Sequence, residues 1–148
     1  LVEAYRLIGY ENRLLNEEDF EDDSKDAGEI GAGQNITALY EIKPKVNPAF
    51  RTVPSFTIDF RYKLPDSDSS QPLELQIFDK GRAFSEASDQ LQFTASVAAF
   101  ALLIRDSEYK GSTDYEKVLQ WNSLSSLPDP HGFKAEFRQV VETAAGLQ

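Results

Sequence analysis

Seven carboxylates crowd one short stretch near the start of the chain: Glu17, Glu18, Asp19, Glu21, Asp22, Asp23 and Asp26. Side chains of this type at this density could hold a hard divalent cation, because Ca²⁺ is bound through several carboxylate and carbonyl oxygens. Asp22, Asp23 and Asp26 are the candidate ligands. The EF-hand template does not fit, since the sixth position counted from Asp22 is Ala27, where that loop needs Gly. The competing reading is a solvated loop whose like charges repel one another.

Other residue types invite other chemistry, each with a plainer explanation beside it. Gly28-Glu-Ile-Gly-Ala-Gly33 could cradle an anion on backbone N–H groups. It lacks the Gly-Lys-Ser/Thr of a P-loop, has acidic neighbours and leads into a predicted strand, so a bulge or tight turn fits better. His131 is the single histidine, and a Ser-His-Asp triad would rest on it alone. No nucleophile or orienting carboxylate is nominated by spacing, and a surface or cap-region histidine is the simpler reading. Glu29 with Glu41 or Asp59 could act as paired carboxylates, but such pairs arise by chance among 25 acidic residues. Trp121 and the six tyrosines could stack on sugars, although aromatics at strand or helix spacing more often fill a core. No catalytic motif stands out, and the expectation is a chain that is not an enzyme and carries no cofactor.

Composition narrows the classes. A net charge of −10 argues against nucleic acid, which needs clustered Lys and Arg, and against an anionic membrane surface. With no cysteine there is no disulfide, thiolate nucleophile or cysteine-ligated metal. A hydrophobic share of 41% can build a core. The most apolar stretch, Phe93 to Ile104, is about half the length of a membrane-spanning helix. There is no methionine, and Leu1-Val2-Glu3-Ala4 runs straight into a strand pattern, so the chain reads as a piece of a longer one.

The elements that would position these residues run strands first, helices second. Residues 2–10 are strand-like with apolar residues on both faces, which predicts a strand covered on two sides. A second strand runs from Asn35 to Ile42 and stops at Pro44. Phe56, Ile58, Phe60, Tyr62 and Leu64 alternate with Thr57, Asp59, Arg61 and Lys63, predicting a third strand with one apolar and one polar face. Leu73 to Phe78 returns as its hairpin partner across a turn-rich loop. Ser85 can cap a helix reaching Arg105, apolar nearly all round and so buried on most sides. Thr113-Asp-Tyr-Glu116 fits a capping box for a second helix, and Asp129-Pro130 opens a third, with Phe133, Phe137, Val140, Val141 and Ala144 as its apolar stripe. This order predicts an α+β fold: an antiparallel sheet or partial sandwich of about four strands over 1–80, then a three-helix segment over 81–148.

Several of these stretches carry a family resemblance. Tyr5-Arg-Leu-Ile-Gly-Tyr-Glu-Asn-Arg13, Asp26-Ala-Gly-Glu-Ile-Gly-Ala-Gly33 and Ile36-Thr-Ala-Leu-Tyr-Glu41 resemble the C-terminal region of bacterial von Willebrand factor type A (VWA) proteins of the YfbK-like family. Ser96-Val-Ala-Ala-Phe100, Tyr115-Glu-Lys-Val118 and Ala135-Glu-Phe137 extend the likeness over nearly the whole chain. Gln34 departs from the pattern, which has His there. The resemblance implies a C-terminal domain of unknown function that follows a VWA domain. The metal-binding Asp-x-Ser-x-Ser loop of VWA domains is not in this stretch: Asp22-Asp-Ser-Lys-Asp26 and Asp66-Ser-Asp-Ser-Ser70 each carry Asp in place of one Ser. The VWA context points toward the bacterial cell envelope while leaving the compartment open.

The expected role is a structural, protein-interaction module that packs on and positions the upstream VWA domain of the same chain, with other proteins as further partners. Tyr5, Leu7, Tyr10, Ile36 and Tyr40 are the expected structural residues of the sheet, and Phe93, Val97, Phe100 and Leu103 those of the buried helix. Arg13 and Glu29 are the candidates for a polar contact between domains. The alternative role is calcium or carbohydrate binding through the acidic loop or exposed aromatics.

Overall fold

A computed structural model describes residues 2–9, 17–25, 28–45 and 53–147. The fold is α+β, with four antiparallel strands followed by three helices. The chain divides into two compact units, Leu1–Gly81 and Arg82–Gln148.

In the first unit the strands pair two by two, in separate ladders rather than one sheet. β1 (Val2–Ile8) pairs antiparallel with β2 (Leu39–Pro44). The second strand begins later than its sequence pattern suggests, and Pro44 closes it as the partner of Val2, a strand-end position where no N–H is needed. Register puts Tyr5 opposite Ile42 and Leu7 opposite Tyr40 on one face. Arg6 faces Glu41 on the other, with Nε 2.5 Å from Oε2. Lys43 Nζ reaches Glu3 Oε1 at 2.6 Å. Among the described residues the first strand is not covered on two sides. Tyr5 is 72% exposed and Tyr40 is exposed too, because a ladder of two strands brings no layer of its own to lie over them, while Ile36, expected in the sheet, is exposed ahead of β2 and outside it. Tyr10 lies outside the described residues.

β3 (Phe56–Tyr62) and β4 (Gln71–Ile77) form the expected hairpin. Their register aligns Phe56 with Ile77, Ile58 with Leu75 and Phe60 with Leu73, which makes one apolar face. The opposite face pairs Thr57 with Gln76, Asp59 with Glu74 and Arg61 with Pro72. Two carboxylates therefore stand directly opposite one another at Asp59 and Glu74.

The second unit is helical. A single 3-10 turn over Phe84–Glu86 precedes α1 (Asp89–Ile104), so the cap falls at Ser88, not Ser85; the Ser88 hydroxyl accepts from the Leu91 N–H. α2 (Tyr115–Leu124) is capped by Asp114, one residue after the Thr113 that the capping-box pattern nominates; the Asp114 carboxylate accepts from the Lys117 N–H at 2.8 Å. α3 (Phe133–Ala145) begins after Gly132, which takes a left-handed φ of 76°. Asp129 still serves this helix from a distance, accepting from the Ala135 N–H at 3.0 Å.

The core is Ala99, Val118 and Val141, with Phe100, Leu103, Tyr115, Leu119, Trp121 and Phe137 packed around it. α1 is not buried on most sides. Its buried residues are Gln92, Ser96 and Ala99, while Leu91, Val97 and Ile104 are exposed. The small side chains of Ser96 and Ala99 let a neighbouring helix come close, and α2 packs on α1 along this unit. The Ser96 hydroxyl donates to the Phe93 carbonyl at 2.6 Å, which lets it enter the interior without an unmet hydrogen bond.

Candidate functional site

Within the acidic loop Asp19, Asp22 and Asp23 are tied down by hydrogen bonds and ion pairs. Asp22 Oδ1 accepts from the backbone N–H of Ser24 at 2.9 Å and from its hydroxyl at 2.7 Å, closing a local turn. Lys25 Nζ lies 3.0 Å from Asp19 Oδ1. Asp23 reaches across to the hairpin. Its Oδ2 accepts from the Ser70 N–H at 3.2 Å, and its Oδ1 accepts from the Ser70 hydroxyl. Arg61 binds the same pair: Nε donates to Ser70 Oγ at 2.9 Å and Nη2 lies 3.7 Å from Asp23 Oδ1. Lys63 Nζ donates to the Asp23 carbonyl at 2.5 Å.

Arg61, Lys63, Ser70 and Asp23 thus form one polar knot on the polar side of the β3–β4 hairpin. Hydrogen bonds from the Ser70 hydroxyl and N–H, with Arg61 and Lys63 close by, hold the Asp23 carboxyl below its ordinary value. Hydrogen bonds from Ser24 lower Asp22 in the same way. Chemically this arrangement stabilises a carboxylate with cations and donors already in place. It leaves Asp23 poorly disposed to a metal, because Arg61 and Lys63 occupy the electrostatic role a metal would take. Among the described residues no group of three or more His, Asp or Glu side chains is placed to hold a metal ion. Asp26, the third proposed ligand, lies outside the described residues.

The glycine-rich segment is a tight turn. Gln34 N–H donates to the Gly31 carbonyl at 3.0 Å, and Gly33 takes φ 79°, which favours glycine. The Gln34 side chain bends back so that its Oε1 accepts from the Gly31 N–H at 2.9 Å. A donor that an anion cradle would need is thereby satisfied within the turn itself.

Glu29, one of the two residues proposed for a polar contact between domains, stands exposed just before this turn; Arg13, the other, lies outside the described residues. His131 is exposed beside the start of α3, with its ring 5.7 Å from that of Phe133. Trp121 is half-buried with its ring 4.7 Å from Phe84, packed against the helical core. Thr57 and Asp59 remain exposed on the polar face of β3, whereas Arg61 is drawn into the knot.

Sequence reasoning missed two partners, Ser70 and Ser126. Ser126 N–H and hydroxyl each donate to a different oxygen of Asp89, both at 2.7 Å, fixing the first turn of α1 to the chain leaving α2. Nothing local to either serine signals such a role. Among the described residues no helix is long and apolar enough to cross a membrane.

Comparison with known proteins gives a consistent result. The family model described as "Uncharacterized protein YfbK, C-terminal" matches residues 1–147. The uncharacterized protein YfbK of Escherichia coli (strain K12) is 34% identical over 162 aligned positions, which cover 99% of this chain and 28% of that protein. The chain therefore spans little more than a quarter of the length of the relative it matches. No solved structure is significantly similar. With a match running from end to end, the chain belongs to the YfbK C-terminal family.

Proposed function

We propose that this chain is a non-enzymatic module of a longer protein, and that it packs on and positions an upstream VWA domain. The observation that carries this reading is the apolar face of the β3–β4 hairpin. Phe60, Tyr62, Leu73 and Leu75 are all exposed there, Leu73 at 56%. A two-stranded ladder is marginally stable in water unless something covers its apolar face, and clustered exposed apolar side chains mark interaction surfaces. The polar face of the same hairpin is occupied by Asp23, which leaves the apolar face as the one with something to gain from a neighbour. The resemblance to VWA proteins and the far greater length of the relative support an upstream VWA domain as that neighbour.

Calorimetric titration of the 148-residue chain with the separately purified VWA domain of its parent protein tests this, with and without Mg²⁺. The expected result is saturable binding that Phe60→Ser and Leu75→Ser weaken while the helical unit keeps its fold. Absence of heat in both conditions would overturn the reading.

A further inference from the structure

The helical unit carries a second apolar surface that its own core does not use. α2 packs on both α1 and α3. Away from it, α1 and α3 leave a groove between them whose lining takes nothing from α2. One wall is Phe100 and Ile104 of α1; the other is Val140 and Ala144 of α3, with Leu147 beyond its end. Ile104 is 57% exposed, Val140 49% and Leu147 84%. Glu136 is the one charged residue in this lining.

We infer that this groove receives an amphipathic helix with an apolar stripe and basic flanks, in the position a fourth helix would take beside α1, α2 and α3. Two parallel rows of apolar side chains on neighbouring helices present the surface that an amphipathic helix fills with residues spaced i, i+3/i+4 and i+7. Charge selects the occupant. A basic residue meets Glu136 at the rim, and a basic segment approaches a chain of net charge −10 favourably. A second copy of the chain would bring the same acidic excess to the interface and set Glu136 near its own equivalent. The surface shares no residue with the hairpin face described above and needs no VWA domain.

The probe is a fluorescein-labelled amphipathic peptide of about five helical turns, Leu on one face and Lys on the other. A second peptide carries Glu in place of every Lys. Anisotropy is read on the whole 148-residue chain. Saturable binding of the Lys peptide is expected, with the Glu peptide bound at least about tenfold more weakly. Ile104→Asp and Val140→Asp, at exposed positions that leave folding intact by circular dichroism, should each weaken the Lys peptide about tenfold or more. These variants make the chain more acidic, so attraction to net charge alone would strengthen binding. Glu136→Lys should narrow or reverse the preference between the two peptides. Undiminished binding to Val140→Asp, no saturable binding of the Lys peptide, or an unchanged preference in Glu136→Lys would overturn the inference.

Discussion

Asp23 and Ser70 lie 47 positions apart and hold each other through both the hydroxyl and the backbone N–H of the serine. The contact converts one carboxylate of a strongly acidic loop into a structural anchor on the hairpin. Arg61 and Lys63 complete it. Calcium titration by calorimetry should therefore give no saturable heat from this carboxylate. A saturable heat abolished by Asp22→Asn or Asp23→Asn would instead assign those side chains as ligands. Ser70→Ala removes the hydroxyl and should lower the Tm of the sheet unit, with faster amide exchange at residues 22–25 as its local signature.

Acid should destabilise the protein through five aspartates. Asp22, Asp23, Asp89, Asp106 and Asp129 all titrate below the ordinary 3.8. For Asp89 the cause is the pair of hydrogen bonds from Ser126, and for Asp106 it is Lys110. For Asp129 desolvation pushes upward, but the N–H groups of Ala135, Lys134 and Gly132, with the Lys134 charge, outweigh it. A carboxyl whose folded value is depressed contributes stability that is present above the unfolded value and lost as pH falls through the folded one. Thermal unfolding followed from neutral pH to about pH 2 should show Tm holding above the ordinary carboxylate range and falling as pH drops through it and below. Asp89→Asn should flatten part of that fall.

Asp59 and Glu74 face each other across the β3–β4 ladder, and like charges in directly opposed positions oppose pairing. Glu74→Lys replaces repulsion with attraction. It should raise stability by about 0.5 kcal/mol, an effect that added salt diminishes. Equal stability of the two proteins at low salt would contradict this.

In the helical core, Val118 is fully buried and Val97 is not. Val118→Ala should cost about 2 kcal/mol by leaving a cavity, whereas Val97→Ala should change stability by less than about 0.5 kcal/mol. Denaturant titrations of both variants separate the two cases. Asp114→Ala removes the cap of α2 and should cost about 1 kcal/mol. The capping pattern ahead of α2 is legible in sequence because a cap is a local device, made by a side chain and an N–H three residues on. Asp129 does not act as that local device: the helix starts after Gly132, and Asp129 reaches an N–H six residues on.

The Gly31–Gln34 turn offers a backbone test. Gly33 takes φ 79°, and a Cβ there would meet no atom within 4 Å, so any cost of Gly33→Ala is conformational and not steric. A loss of about 1 kcal/mol is expected. Gln34→Ala should free the Gly31 N–H to exchange faster without opening the ladder.

Local patterning carries the kinds of element and their order, and places their ends only to within a few residues. Alternation from Phe56 to Tyr62, the presence of a cap at Thr113-Asp114 and the turn glycine at Gly33 are local, so a short window of residues contains their cause. Tertiary structure alone decided that the four strands pair as two ladders, since nothing within a strand specifies how many partners it has. It also decided which side of α1 is buried. A helix apolar nearly all round carries no angular preference, and the choice fell to the small residues Ser96 and Ala99, which admit a neighbour closely, leaving Ile104 and Val97 outside. The anchoring of Asp23 by Ser70 and of Asp89 by Ser126 joins residues 47 and 37 positions apart, and no periodicity in the chain records such a distance.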